Sequence, residues 1–232
     1  MMAPRRLVTH IARVSSKAAP VGLTTGPPTP VAARELTAPP LLDDAAERLA
    51  TASIDVIGYA STSTAYAIGF DDETAMVQRL SRRTGRPVAA TCASAVLALR
   101  VLDVDRIALV NPPWFDDEIN ELGAAYFRSQ GLHVVSSASA RLPQDPRRIE
   151  TAAVIDWTSR HITDDAEAVY IGGNGFRAAA AVDPLEDMLG RPVLTSNQAL
   201  LWTLLAHAGA MFQVTGYGQL FTRKPSPDCL HA

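Results

Sequence analysis

One short stretch occurs twice in this chain. Thr84-Gly85-Arg86-Pro87-Val88 returns as Leu189-Gly190-Arg191-Pro192-Val193. In each copy a helical pattern ends on glycine, an apolar strand follows, and an apolar helix comes next. Upstream, the strand running into Ala60-Ser61-Thr62-Ser63 is echoed by one running into Ile171-Gly172-Gly173-Asn174-Gly175. Apolar strands separated by helices pack as parallel sheets covered on both faces. The chain therefore reads as α/β, with two pseudo-symmetric Rossmann-like halves, mainly parallel sheets and a cleft between them. The first half spans residues 41–110 and the second 111–218, with chain ends free to cross over. Residues 1–40 add an N-terminal strand and a Pro-rich connection to the first half, and 219–232 form a C-terminal tail.

Within that frame, strands are predicted at 54–60, 87–91, 106–110, 133–136, 168–171 and 192–195. Helices are predicted at 42–50, 72–83, 93–102, 117–130, 148–161, 185–189 and 200–208. Leu7 to Val14 reads as a further short strand. Six of the sixteen prolines fall between Pro20 and Pro40, so that segment reads as an extended connection. Arg5, Arg6, Arg13, Lys17 and Arg34 precede any acid, a faint transit-like pattern without an apolar core for secretion.

Composition narrows the function classes. A formal charge of −3 over 232 residues gives no electrostatic reason to bind nucleic acid or an anionic membrane. No apolar run approaches the roughly 20 residues of a membrane span. Two cysteines, Cys92 and Cys229, provide neither a disulfide framework nor a zinc site. The five histidines are scattered without ligand spacing, so no metal is expected, and the default reading is a cytoplasmic protein. The composition leaves a homo-oligomer open.

Ligands in such sheets sit beyond the carboxyl ends of the strands. That rule gathers Ser61-Thr62-Ser63, Cys92, Asn111 to Phe115, Gly173-Asn174 and Ser196-Asn197-Gln198 into one candidate cleft. The Ser61–Thr64 hydroxyls and backbone N–H groups suit a carboxylate or phosphate, and equally suit helix capping. Gly172 to Gly175 lets backbone approach a ligand closely. Gly173 to Ala178 matches a loose dinucleotide pattern, but the acid that should end the next strand is missing. Cys92 follows a strand and opens a helix, where a helix start could lower a thiol pKa; a buried, inert thiol is the plainer reading. Asp116-Asp117-Glu118 reads as helix capping. Asn197 and Gln198 suit a polar ligand or a turn.

Four of these segments together resemble the aspartate/glutamate racemase superfamily, in the branch of maleate cis-trans isomerase and arylmalonate decarboxylase. Tyr59-Ala60-Ser61-Thr62-Ser63 is similar to the family's Cys-Thr-Ser turn, with Ser61 at the first catalytic cysteine. Asn111-Pro112-Pro113-Trp114-Phe115-Asp116 is similar to its Thr-Pro-Tyr segment, with Trp114 or Phe115 in the aromatic place. Ile171 to Arg177 resembles the Ser-Cys-x-x-Leu-Arg turn, with Gly173 at the second cysteine. Gly190 to Ala199 is the most specific of the four matches.

The resemblance implies a cofactor-independent isomerase or decarboxylase acting on a small carboxylate or dicarboxylate through an enediolate-type intermediate. It implies catalytic positions at Ser61 and Gly173 and a substrate cradle of Thr62, Ser63, Trp114, Phe115, Asn174 and Asn197. Neither cysteine position holds a cysteine, and a serine hydroxyl is a weak base or nucleophile without an activating partner. Cys92 is the candidate proton donor in their place. The family also begins with a strand that would lie upstream of Met1, so the first half is either truncated or built differently. Two other readings stand beside the enzyme: a non-catalytic carboxylate-binding relative, and a nucleotide-dependent α/β enzyme.

Overall fold

The computed structural model describes residues 7–14, 29–210 and 214–226. Strands β1 (Ile57–Tyr59) and β2 (Val88–Ala90) pair in parallel as a two-stranded sheet. Strands β3 (Arg106–Asn111), β4 (His133–Ser139), β5 (Ala168–Ile171) and β6 (Val193–Thr195) form a second parallel sheet in the order β4-β3-β5-β6. Helices α1 (Pro30–Thr37), α2 (Leu41–Ala50), α3 (Thr62–Ile68), α4 (Phe70–Thr84) and α5 (Thr91–Val101) accompany the first sheet. Helices α6 (Asp117–Ser129), α7 (Thr151–His161), α8 (Val182–Leu189) and α9 (Ser196–His207) accompany the second.

The repeated glycines explain the echo. Gly85 ends α4 at φ 63° and Gly190 ends α8 at φ 64°. Both are left-handed C-caps, which a glycine enters without the Cβ penalty. Each hands the chain through Arg-Pro to a fully buried three-residue strand, β2 or β6.

Strand β3 joins the second sheet through both of its neighbours. An expected division at residue 110 therefore cuts a strand, and the sheets part ahead of Arg106. The largest core cluster unites Tyr66, Leu99, Phe127 and Trp202, drawn from helices of both sheets, with Tyr170 of β5. A second cluster under α7 and α8 covers the other face of the four-stranded sheet, and a third packs α2 and α4 against β1 and β2.

Three local expectations change. Residues 7–14 form no regular strand, and Leu7, Val8 and Ile11 are exposed. The proline-rich connection contains α1: Thr29 caps it by accepting from Ala32 N, and Pro30 enters at the first turn, where a missing N–H costs nothing. The expected tail begins as core, since Leu220 and Phe221 are buried and Trp202 Nε1 donates to Arg223 O. Cys229 and His231 lie outside the described residues.

Candidate active site

The carboxyl ends of β1, β2, β5 and β6 converge where the two sheets meet. Ser61, in extended conformation, is the N-cap of α3: its hydroxyl accepts from Thr64 N and donates to Thr64 Oγ1 at 2.8 Å. Thr62 is buried and central. Its hydroxyl accepts from Gly173 N at 3.1 Å and lies 2.9 Å from both Ser196 Oγ and Asn174 Oδ1. Its backbone N–H donates to the same Asn174 oxygen at 2.9 Å.

These contacts fix proton directions. An amide oxygen only accepts, so Thr62 gives its hydroxyl proton to Asn174. Ser196 must then donate to Thr62, and Tyr170, 2.8 Å from Ser196 Oγ, donates to Ser196. A directed chain of hydroxyls therefore runs from Tyr170 through Ser196 to Thr62 and ends on Asn174 Oδ1. Asn174 Nδ2 donates to Asn197 Oδ1 at 3.0 Å and to Thr91 Oγ1 at 3.3 Å, while Asn197 Nδ2 donates back to Asn174 O at 3.0 Å.

Thr62, Gly173, Asn174 and Asn197 are thus brought together, and Ser61 and Ser63 are half-buried beside them. Gln198 serves the fold: with Thr195 it forms a capping box, and it also donates to Tyr217 O. The helix expected from Leu200 in fact starts at Ser196, so Asn197 sits in the first turn of α9. The loose dinucleotide pattern after Gly173 leads into a single 3-10 turn at Ala179–Ala181 and not directly into a helix.

Two expected site residues lie elsewhere. Phe115 is buried in the main core, edge-on to Tyr66. Trp114 is half-buried against Phe176 and 3.5 Å from where a Gly175 side chain would begin. Cys92 is fully buried, its thiol 3.9 Å from Thr62 O on the inner side of α3. Burial pushes the thiol well up, with Glu73 adding to it, which reverses the expected lowering by the helix start. Direct proton transfer from Cys92 to a ligand is therefore blocked by geometry.

Sequence reading missed Thr91 and Tyr170. A signal existed for Thr91: continuing the Gly-Arg-Pro repeat at the same offset pairs Thr91 with Ser196, and both hydroxyls line the site. It also missed the pair behind α3. Glu73 is fully buried; its Oε2 accepts from Tyr126 OH and from Ala93 N at 3.1 Å, and its Oε1 has no partner among the described residues. Desolvation pushes its carboxyl up to about 7. Among the described residues no cluster of ligating side chains could hold a metal, and no helix is long and apolar enough to cross a membrane.

The family model described as arylmalonate decarboxylase matches residues 41–221, which include every residue of this site. The chain belongs to the arylmalonate decarboxylase family. It is 27% identical over 183 residues to arylmalonate decarboxylase from Bordetella bronchiseptica, covering 77% of this chain and 75% of the relative. It is 26% identical over 188 residues to maleate isomerase from Pseudomonas putida, covering 78% and 74%. A crystal structure of arylmalonate decarboxylase superposes with a TM-score of 0.73 at 26% identity, covering 78% of this chain and 81% of that one. A maleate isomerase from Pseudomonas putida superposes at 0.76 with 20% identity, over 85% and 81%, a likeness of fold. These relatives are enzymes, a decarboxylase and an isomerase, and this member of their family is an enzyme with their architecture.

Proposed function

We propose that this enzyme decarboxylates or isomerises a small carboxylate or dicarboxylate through an enediolate-type intermediate, without metal or organic cofactor, in the cytoplasm. The observation that carries the reading is the convergence of Thr62's backbone N–H and its hydroxyl proton on one acceptor oxygen. Oriented donors of this kind stabilise charge that develops on a carboxylate oxygen and are commonly the largest catalytic contribution. In decarboxylation the C–C bond to the leaving carboxylate breaks, carbon dioxide departs, and the electron pair enters the enediolate of the remaining carboxylate. The α-carbon then takes one proton, drawn ultimately from water. Of the three residues expected to do chemistry, Ser61 combines a protic side chain with access to the cleft, so it delivers that proton. Gly173 contributes its N–H by orienting Thr62, and Cys92 supports the hydroxyl chain from inside. Trp114 is the aromatic wall.

Proton NMR in deuterated buffer tests this, using phenylmalonate, maleate, aspartate and a 2-aryl propionate. Loss of a carboxylate, alkene isomerisation or α-proton exchange is expected, and the spectrum names which. Unchanged spectra alongside measurable dicarboxylate binding would favour the non-catalytic carboxylate-binding relative instead.

A further inference from the structure

Thr62's backbone N–H can only donate, so the atom 2.9 Å from it on Asn174 must be the amide oxygen. The Thr62 hydroxyl donates to the same oxygen at 2.9 Å. Two donors on one residue aimed at one oxygen form the arrangement that a carboxylate oxygen takes. Asn174 Nδ2 donates to Asn197 Oδ1 and Asn197 Nδ2 donates back to the Asn174 backbone carbonyl, each at 3.0 Å, joining the turn after β5 to the first turn of α9. Asn197 is exposed and Asn174 half-buried, so this closure faces solvent.

We propose that Asn174 is a specificity-determining residue: an internal acceptor, latched by Asn197, that a substrate carboxylate must displace from Thr62. The inference deepens the carboxylate reading above and rests on it. Its physical basis is a competition between two acceptors for one pair of donors. The resident acceptor is neutral. An ionised carboxylate makes charge-assisted bonds roughly twice as strong, and so displaces it. An ester or amide of the same shape offers only another neutral oxygen and must also break the latch, so it does not enter. The latch thus makes ionisation of the ligand a condition of binding.

The test uses the full chain and calorimetric titration with phenylmalonate and its diethyl ester, which has no ionisable carboxyl. Asn174→Ala removes the competitor and is expected to tighten phenylmalonate binding by about tenfold, because the binding-competent fraction rises. It should also narrow the preference for phenylmalonate over the ester. Asn174→Asp places an anion on the Thr62 donors, and phenylmalonate binding should weaken by more than about tenfold. In that variant the new carboxylate is held ionised by the fold. Its contribution to stability should therefore be present above the ordinary aspartate range and be lost progressively as pH falls from about 5 to about 1.5. Equal or weaker phenylmalonate binding by Asn174→Ala would overturn the proposal. So would a stability difference between Asn174→Asp and the parent that does not change over that pH range. If the pH signature is present but neither the parent nor either variant binds phenylmalonate or maleate, Asn174 still occupies an anion position and the carboxylate-substrate reading fails instead.

Discussion

Pro112 fills the space that a side chain at Gly173 would need: a Cβ built there lies 2.7 Å from Pro112 Cγ. Gly173 also holds φ at +85°, in the left-handed region that side chains rarely adopt. The position where the family resemblance expects a second cysteine is therefore closed by backbone conformation and by a neighbour together. Gly173→Cys should destabilise the protein by about 2–4 kcal/mol, combining the left-handed penalty with overpacking. Urea midpoints would show it, and adding Pro112→Ala should recover the overpacking part.

Ser61 has no such obstacle, since it is half-buried and caps α3. Ser61→Cys replaces a hydroxyl by a thiol of ordinary pKa near 8.5, a far better proton-transfer group near neutrality. Turnover of whichever carboxylate reacts should rise by at least about tenfold, while the weaker cap costs about 1 kcal/mol of stability. Parallel rate and melting measurements separate the two effects, and an unchanged rate would remove Ser61 from the chemistry.

Thr62→Val keeps the shape but removes the hydroxyl that links Gly173 N, Ser196 and Asn174. Buried groups left unpaired cost about 1–3 kcal/mol, and loss of one oriented donor lowers turnover by about 10²–10³-fold. Thr62→Ser should retain most of both. Steady-state kinetics on all three proteins checks the hydroxyl specifically.

The buried carboxyl of Glu73 gives the fold a pH dependence. Desolvation raises it from 4.5 to about 7, so the folded state holds a proton that the unfolded state releases earlier. Stability is then greatest below about pH 4.5, falls as pH rises towards 7, and is flat above, a total of roughly 3 kcal/mol at most. Glu73→Gln should flatten this segment when denaturation is compared at about pH 5 and about pH 7.5. An identical slope in the variant would assign the dependence to other groups.

Much of the architecture was legible because it is local. Gly85 and Gly190 mark helix ends through their own backbone freedom, and the buried runs at Val88–Ala90 and Val193–Thr195 need only composition to read as strands. The helix at Pro30–Thr37 was not legible, because proline counts say nothing of position, and a proline in the first turn favours the helix it would break elsewhere. Trp114 and Phe115 are adjacent in sequence, and only the direction of packing leaves one half-buried against Phe176 and sends the other into the core against Tyr66. Cys92 was legible as a helix-start residue with a buried, inert thiol as its plainer reading, but not the partners that seal it, since Tyr66 and Tyr170 come from distant segments. The bond from Asn174 to Thr62 spans 112 residues. No local pattern encodes such a contact, so Asn174 could be read as a ligand contact but not as its own occupant.

Helix α9 begins beside the site with Ser196 and Asn197, yet further along it lays Leu200 and Leu204 over Gly58 of β1 in the other sheet. A side chain at Gly58 would begin 2.9 Å from Leu204 Cδ1. Helix α9 is thus a shared wall, and neither half owns a complete exterior. Cutting the polypeptide between the sheets would strip β1 of its cover and leave α9 with an oily flank. The two pieces should therefore refold only when mixed, as complementary fragments.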